Sequence, residues 1–446
     1  MSARFIVADV FEGLAALKAE GTQVDLVLTS PPFLALRSYL PQDHPDKGKE
    51  IGSEPTPADF LDTMLAVVEA CAGVLAPHGS ICFEFGDTYA GSGGAGGDYA
   101  DGGMREAQPK FRQGTPRWDR DNGTVRTTTS DPVSYPARAR DGWPLDKSLC
   151  MIPELFAASL AYGRNLLDPE RTTDPWRVRN TVAWVRPNPP VGALGDKVRP
   201  AKSLLTWACR ARNRWFDLDA VRTEPNDHSK KYPRDAAHYS NDGYAVDERG
   251  DGGRIGSNAG NPAGAPPLDW WKISPGGFAG SHYAVYPPEL CRIPIEASCP
   301  RRVCRTCGTP SRRVVVAERK DRHGNAVTGD WNSHNYTPGE GYTGMAGALS
   351  TNSGEADRTE RTTTGWTTCG CPGTDGIRLD GYHTGTGWRP GIVLDPFGGS
   401  GTTGLVATGL SRDAVLIDLD ARNADLALER VGMFLTVEHL AAEGAA

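Results

Sequence analysis

Towards one end of the chain the run Gly391-Ile392-Val393-Leu394 passes directly into Asp395-Pro396-Phe397-Gly398-Gly399-Ser400-Gly401-Thr402. A short apolar run bounded by turn residues reads as a buried strand. The small residues after it let a backbone approach a ligand at a helix N-terminus. Thr402 to Gly409 then suits a helix, and Ala414-Val415-Leu416-Ile417-Asp418 a second strand. Asp418 lies twenty positions beyond Gly398, the spacing at which an acid meets ribose hydroxyls in nucleotide-binding βαβ units. A phosphate-cradling lysine is missing from the turn, which suits a ligand without phosphates. A chain built this way is constrained to α/β architecture with parallel strands.

The opposite end holds a second strand-and-turn. Val24-Asp25-Leu26-Val27-Leu28 closes on Thr29-Ser30-Pro31-Pro32-Phe33. Two prolines fix the backbone and remove competing N–H groups, leaving the Ser30 hydroxyl and the Pro31 carbonyl as rigidly placed acceptors. Alone, this reads equally well as a proline-terminated strand with a core phenylalanine.

Between these turns, Arg4 to Asp9 reads as a strand ending in an acid and Val10 to Glu20 as an amphipathic helix. Asp59 to Leu75 is helical by its apolar spacing, stopping at Pro77-His78-Gly79. Ser80 to Phe85 is a strand, Leu149 to Tyr162 a helix, and Asn180 to Arg186 a strand. Residues 91–145, 224–268 and 318–390 are rich in Gly, Asp, Asn and Thr and predict low order. Connections of that length are functional or disordered.

The two turns together resemble the catalytic and cofactor motifs of amino-methylating DNA methyltransferases. Their order, catalytic motif first, is that of the permuted beta class, in its cytosine-N4-specific type. Further segments resemble the same class in the right order: Phe83 to Tyr89, Asn180 to Pro190, Trp215-Phe216-Asp217 (as a closing strand) and His282 to Leu290. The resemblance implies a doubly wound, mostly parallel Rossmann-like sheet with long loop insertions. Residues 1–90 and 146–223 would form the catalytic half, and 276–298 with 391–446 the half that binds S-adenosylmethionine. Residues 91–145 would be a flexible Gly-rich insertion, 224–275 a target-recognition insertion and 299–390 a Cys-bracketed one.

By the same resemblance, Ser30, Pro31, Pro32 and Phe33 are catalytic, with Phe33 stacking on a base flipped out of double-stranded DNA. Asp395, Pro396, Phe397, Gly398, Gly399, Ser400, Gly401 and Thr402, with Thr29, line the cofactor. Asp418 takes its ribose, and Asp9 stands near its adenine or serves only as a helix cap. Thr29-Ser30 before the prolines points to cytosine N4, although a hydroxyl could serve the N6 amine of adenine too. An inactive DNA-binding or regulatory relative is the rival of another class. An RNA or protein substrate is a weaker third reading. No cysteine follows the prolines, which argues against a covalent intermediate.

The net charge of −7 hides a basic run from Arg177 to Arg214 and a second cluster of Arg301, Arg302, Arg305, Arg312 and Arg313. Local basic surface is what phosphate contacts require. Among the ten cysteines, Cys304-x-x-Cys307 and Cys369-x-Cys371 suggest a thiolate site for structural zinc, with Cys299 as a substitute ligand. The other reading is reduced cysteines on a loop. No charged-then-apolar leader and no run long enough for a membrane span opens or crosses the chain, so a cytoplasmic protein without membrane contact is expected. A cognate restriction endonuclease is the expected partner activity.

Overall fold

The computed structural model describes residues 1–36, 39–40, 43–90, 117–119, 124–126, 142–145, 147–189, 197–223, 264–275, 286–320, 358–374, 376 and 385–440. In chain order the elements are β1 (Ala3–Val7), α1 (Val10–Ala19), β2 (Val24–Thr29), α2 (Pro57–Ala72), β3 (Leu75–Phe85), β4 (Arg117–Asp119), β5 (Thr124–Arg126), α3 (Ile152–Tyr162), β6 (Arg177–Val185), β7 (Lys202–Cys209) and β8 (Trp270–Lys272). They continue as α4 (Pro288–Ser298), β9 (Val303–Cys304), β10 (Arg313–Lys320), β11 (Arg358–Trp366), β12 (Trp388–Arg389), β13 (Ile392–Asp395), α5 (Thr402–Gly409), β14 (Asp413–Asp418), α6 (Ala421–Val431) and β15 (Leu435–His439). No helix among the described residues is long and apolar enough to cross a membrane.

One nine-stranded sheet runs β15-β1-β14-β13-β2-β3-β7-β6-β8. The run from β15 to β3 is parallel throughout. β7 joins antiparallel to β3, β6 antiparallel to β7, and β8 parallel to β6. The expected doubly wound, mostly parallel α/β fold is what the chain adopts.

Both faces of the sheet are covered. Val10, Leu14 and Leu17 of α1, Phe60 and Met64 of α2, and Phe156 of α3 pack with Ile6, Val27, Leu394 and Ile417 on one face. Leu290 and Ile295 of α4, Ala407 of α5 and Ala424 and Ala427 of α6 pack with Phe5, Leu26, Val393 and Leu416 on the other. Neighbouring strand residues thus go to opposite cores, as the two-residue period of a strand requires. Every residue of β2 is buried, which is why Val24 to Leu28 reads as an unbroken apolar run. Asp25 interrupts it, and its charge is met inside: Arg389 Nη1 donates at 2.7 Å, the Ile392 amide at 2.8 Å, and His78 Nε2 lies 2.9 Å away. Burial pushes the Asp25 carboxyl up, but His78 and Arg389 outweigh it and hold the group below its usual value.

Four expectations change. The helix after Asp59 begins at Pro57, capped by Thr56, and ends at Ala72. Pro77-His78-Gly79 lies within β3 rather than before it. Trp215-Phe216-Asp217 is not a strand: Trp215 is buried, and its amide donates to the His78 carbonyl at 3.0 Å, but β8 forms that edge of the sheet. Within 318–390, residues 358–366 form β11, paired antiparallel with β10. Of the insertion at 91–145, most lies outside the described residues, as do 224–263, His282 to Val285 and Asp196. Trp143 is described, and its Nε1 donates to the Pro55 carbonyl at 2.7 Å.

Candidate active site

From β13 the chain winds through α5 to β14 on one side; from β2 it winds through α2 to β3 on the other. β13 and β2 are neighbours, so the chain diverges between them. Such a switch point leaves a crevice beyond the carboxyl ends of the two strands. The Thr29–Phe33 and Asp395–Thr402 turns both lie there. One cavity of about 1050 Å³ is lined by Ser30, Pro31, Pro32 and Phe33, by Pro396, Phe397, Gly398, Gly399, Ser400 and Thr402, and by Asp9 and Asp418.

Thr29, Asp395 and Gly401 belong to the frame beneath that lining. Asp395 is 1% exposed and accepts from Thr29 Oγ1 at 2.6 Å, Thr403 Oγ1 at 2.5 Å, Tyr286 OH at 2.9 Å and the Phe397 amide at 3.1 Å. Burial raises its carboxyl above the usual range, and the hydroxyls pull it partly back. The Thr29–Asp395 bond locks the two turns together across 366 positions of sequence. Gly401 caps α5 with a φ of +78°, and a Cβ there would meet Ala427 Cβ at 2.8 Å.

At the glycine turn, a Cβ on Gly398 would lie 2.8 Å from Leu416 Cβ, so only glycine lets the turn settle on β14. Gly399, at a φ of +47°, donates its amide to Asp418 Oδ2 at 2.7 Å. Asp418 Oδ1 accepts from Asn423 Nδ2 and from the Asp420 amide, each at 2.9 Å. Burial pushes the Asp418 carboxyl up to about 6 despite these donors. Asp9 caps α1, its Oδ1 accepting from the Phe11 amide at 2.9 Å, and it also lines the cavity.

At the proline turn, Ser30 Oγ donates to Glu84 Oε2 at 2.6 Å. Glu84 is the penultimate residue of β3 and is 3% exposed; its Oε1 has no hydrogen-bond partner among the described residues. Burial raises this carboxyl above its ordinary value, with Ser203, Ser30 and the charge of Arg186 acting the other way. Because the Ser30 hydrogen points to Glu84, the lone pairs of Oγ are left for another donor. Phe33 rests on Phe85, ring centroids 6.5 Å apart, and fills the space a side chain at Gly86 would need.

Glu84, Tyr286 and Asn423 line the same cavity and were not named as site residues, although Glu84 and Tyr286 lie in the segments Phe83 to Tyr89 and His282 to Leu290 that resemble the family. Glu84 carried one signal, an acid in an otherwise apolar strand, since a buried carboxylate needs a partner. Lys49, Arg186, Arg199 and Lys202 border the cavity, beside the acids Glu50, Asp87, Glu154 and Asp420. In the second basic cluster Arg313 is engaged by Asp217, Nη2 to Oδ2 at 2.8 Å. Of the two tryptophans in β8, within the segment expected to recognise the target, Trp271 is buried and Trp270 half exposed.

The chain is similar to several type II methyltransferases. The M.SmaI type II methyltransferase of Serratia marcescens is 20% identical over 437 residues, covering 96% of this chain and 91% of that protein. M.XycI of Xanthomonas campestris pv. cyanopsidis is 24% identical over 281 residues, and M.SfiI of Streptomyces fimbriatus 23% over 216. The chain spans 66% of the length of M.XycI and 38% of that of M.SfiI. Among solved structures, the cytosine-N4-specific PvuII DNA methyltransferase aligns with a TM-score of 0.43 at 13% identity, covering 96% of this chain and 86% of that one. The N6/N4 family model, described as DNA methylase, matches residues 24–303 and 389–429. With that match over most of its length, the chain belongs to the N6/N4 DNA methylase family.

Proposed function

We propose that the protein transfers a methyl group from S-adenosylmethionine to the N4 amine of a cytosine flipped out of double-stranded DNA. The observation that carries this reading is the Ser30–Glu84 pair, which faces the same cavity as the glycine turn.

The cavity fits the cofactor by its own chemistry. Gly398 and Gly399 leave room where a Cβ could not go; Phe397 offers an aromatic face; Asp418, Asn423 and Asp9 offer polar groups for ribose and adenine. Bound there, S-adenosylmethionine supplies an electrophilic methyl on a sulfonium. Everything else falls to the protein. An exocyclic amine is a poor nucleophile because its lone pair is delocalised into the ring. Ser30 Oγ and the Pro31 carbonyl accept its two hydrogens, drawing them out of the ring plane and localising the lone pair on nitrogen. As the amine nitrogen takes the methyl and the electron pair of the broken S–C bond stays with the departing thioether, one amine proton would move to Ser30 Oγ and the serine proton to Glu84. The raised affinity of buried Glu84 for a proton suits it to that end of the relay. Phe33 stacks on the extruded base, returning about 1–3 kcal/mol against the few kcal/mol that flipping costs.

Cytosine is favoured over adenine by Thr29-Ser30. With Thr29 Oγ1 committed to Asp395, Ser30 is left to present a single hydroxyl oxygen to the amine. The type II designation of the relatives supports a cytoplasmic role beside a restriction endonuclease of matching specificity. The deciding experiment incubates the protein with S-adenosylmethionine and unmodified genomic DNA, then identifies digested nucleosides by mass spectrometry. N4-methylcytosine is expected; N6-methyladenine would overturn the base assignment, and no methylated nucleoside would overturn the substrate.

A further inference from the structure

We propose that Cys304, Cys307, Cys369 and Cys371 bind one structural zinc ion that fastens the segment between Val303 and Trp388 to the sheet. The family match stops at residue 303 and resumes at 389, so this segment is an addition to the shared framework.

The geometry is that of a tetrathiolate site. The four Sγ atoms all lie within 4.8 Å of one another. A zinc–sulfur bond of about 2.3 Å sets a tetrahedral edge of about 3.8 Å, so a small contraction brings all four to the metal. Each pair stands on a tight turn held without the thiols. Gly308, at a φ of +69°, donates its amide to the Cys304 carbonyl at 3.0 Å, and the Cys304 amide donates to the Thr309 carbonyl at 3.0 Å. Gly370, at +75°, separates Cys369 from Cys371, and Thr374 Oγ1 donates to the Cys371 carbonyl at 2.6 Å. Cys299 is not a substitute ligand. It is buried, with its sulfur 2.8 Å from where a Cβ on Gly391 would stand.

A second observation shows why a metal is needed. From Arg305 to Gly387, the buried residues among those described are Pro310, Ser311 and Thr374. Three such residues make no core, and a segment without one is ordered by cross-linking instead. The base of the segment is already docked: Trp215 Nε1 donates to the Ser311 carbonyl at 2.8 Å, Arg313 pairs with Asp217, and β12 pairs with β9, which carries Cys304. The ion would tie the far turn at Cys369–Cys371 to this base. Binding releases thiol protons to solvent and leaves a thiolate set of net negative charge, beside which Arg301, Arg302 and Arg305 lie in sequence. With four protein ligands no position is open to substrate, so the role is structural.

Metal analysis of protein purified without chelator should find about one zinc per chain, and Cys307→Ser and Cys369→Ser should each weaken zinc binding at least about tenfold. Cobalt exchange into the wild-type protein should give the intense visible bands of a tetrahedral tetrathiolate, a readout independent of how the variants fold. Chelation should open residues 305–387 to limited proteolysis while the remainder stays resistant. Protein that takes up neither zinc nor cobalt when reduced, two disulfides in the protein as isolated, or stoichiometric iron in place of zinc would each overturn the assignment.

Discussion

On the proposed function Ser30, Glu84 and Asp418 divide the chemistry, and each can be tested alone. Ser30→Ala removes the acceptor but leaves the glycine turn intact. Transfer should fall by at least about a hundredfold, with cofactor affinity unchanged by calorimetry. Glu84→Gln keeps the hydrogen bond and loses the proton acceptor. Its kcat should drop about 10²–10⁴-fold, and the acid limb of the rate profile should vanish; a retained limb would place the titration elsewhere. Asp418 works with the opposite sign to a salt-bridged acid. On the proposed function its carboxyl, raised to about 6, accepts ribose hydroxyls more strongly when ionised. Cofactor affinity should therefore weaken as pH falls below about 6, by at most about tenfold per unit, and Asp418→Asn should bind weakly at every pH.

Strands and turns show what sequence can and cannot reveal. β2, β13, α5 and β14 were legible because each has a strong period and an unambiguous stop: Pro31-Pro32, Gly398-Gly399 or a terminal acid. The glycine turn was legible down to single residues, since Gly398→Ala would press on Leu416 and should cost about 1–3 kcal/mol in a denaturant titration. Leu75 to Gly79 misled because proline and glycine read as punctuation, whereas at the start of β3 they are tolerated. Trp215-Phe216-Asp217 misled because an apolar extended segment reads as a strand whether or not its backbone finds a partner. Glu84 and Asp25 were opaque for another reason: the partners of each lie far away in sequence. Asp25→Asn leaves Arg389 uncompensated and should destabilise the fold by about 3–5 kcal/mol. The depressed carboxyl stabilises above its unfolded value, and that contribution is lost as pH falls through the folded one. Wild type should thus lose stability in acid more steeply than Asp25→Asn.

At the scale of the molecule, a chain of net charge −7 brings Arg186, Arg199 and Lys202 to the border of its cavity, where on the proposed function they would meet DNA phosphates. Removing Arg199 or Lys202 should shallow the slope of log Kd against log salt by about 0.9 for each phosphate that is no longer neutralised, with kcat at saturating DNA little changed. The strand order has a consequence for how such a protein is made. β1 pairs with β14 and β15, so both neighbours of Ala3–Val7 come from residues 413–439. At about 5–20 residues per second of synthesis, an emerging β1 waits on the order of 20–80 s with both edges bare. Until then Phe5 and Ile6 are a ligand for chaperones, and the ribosome's pace sets the length of that exposure.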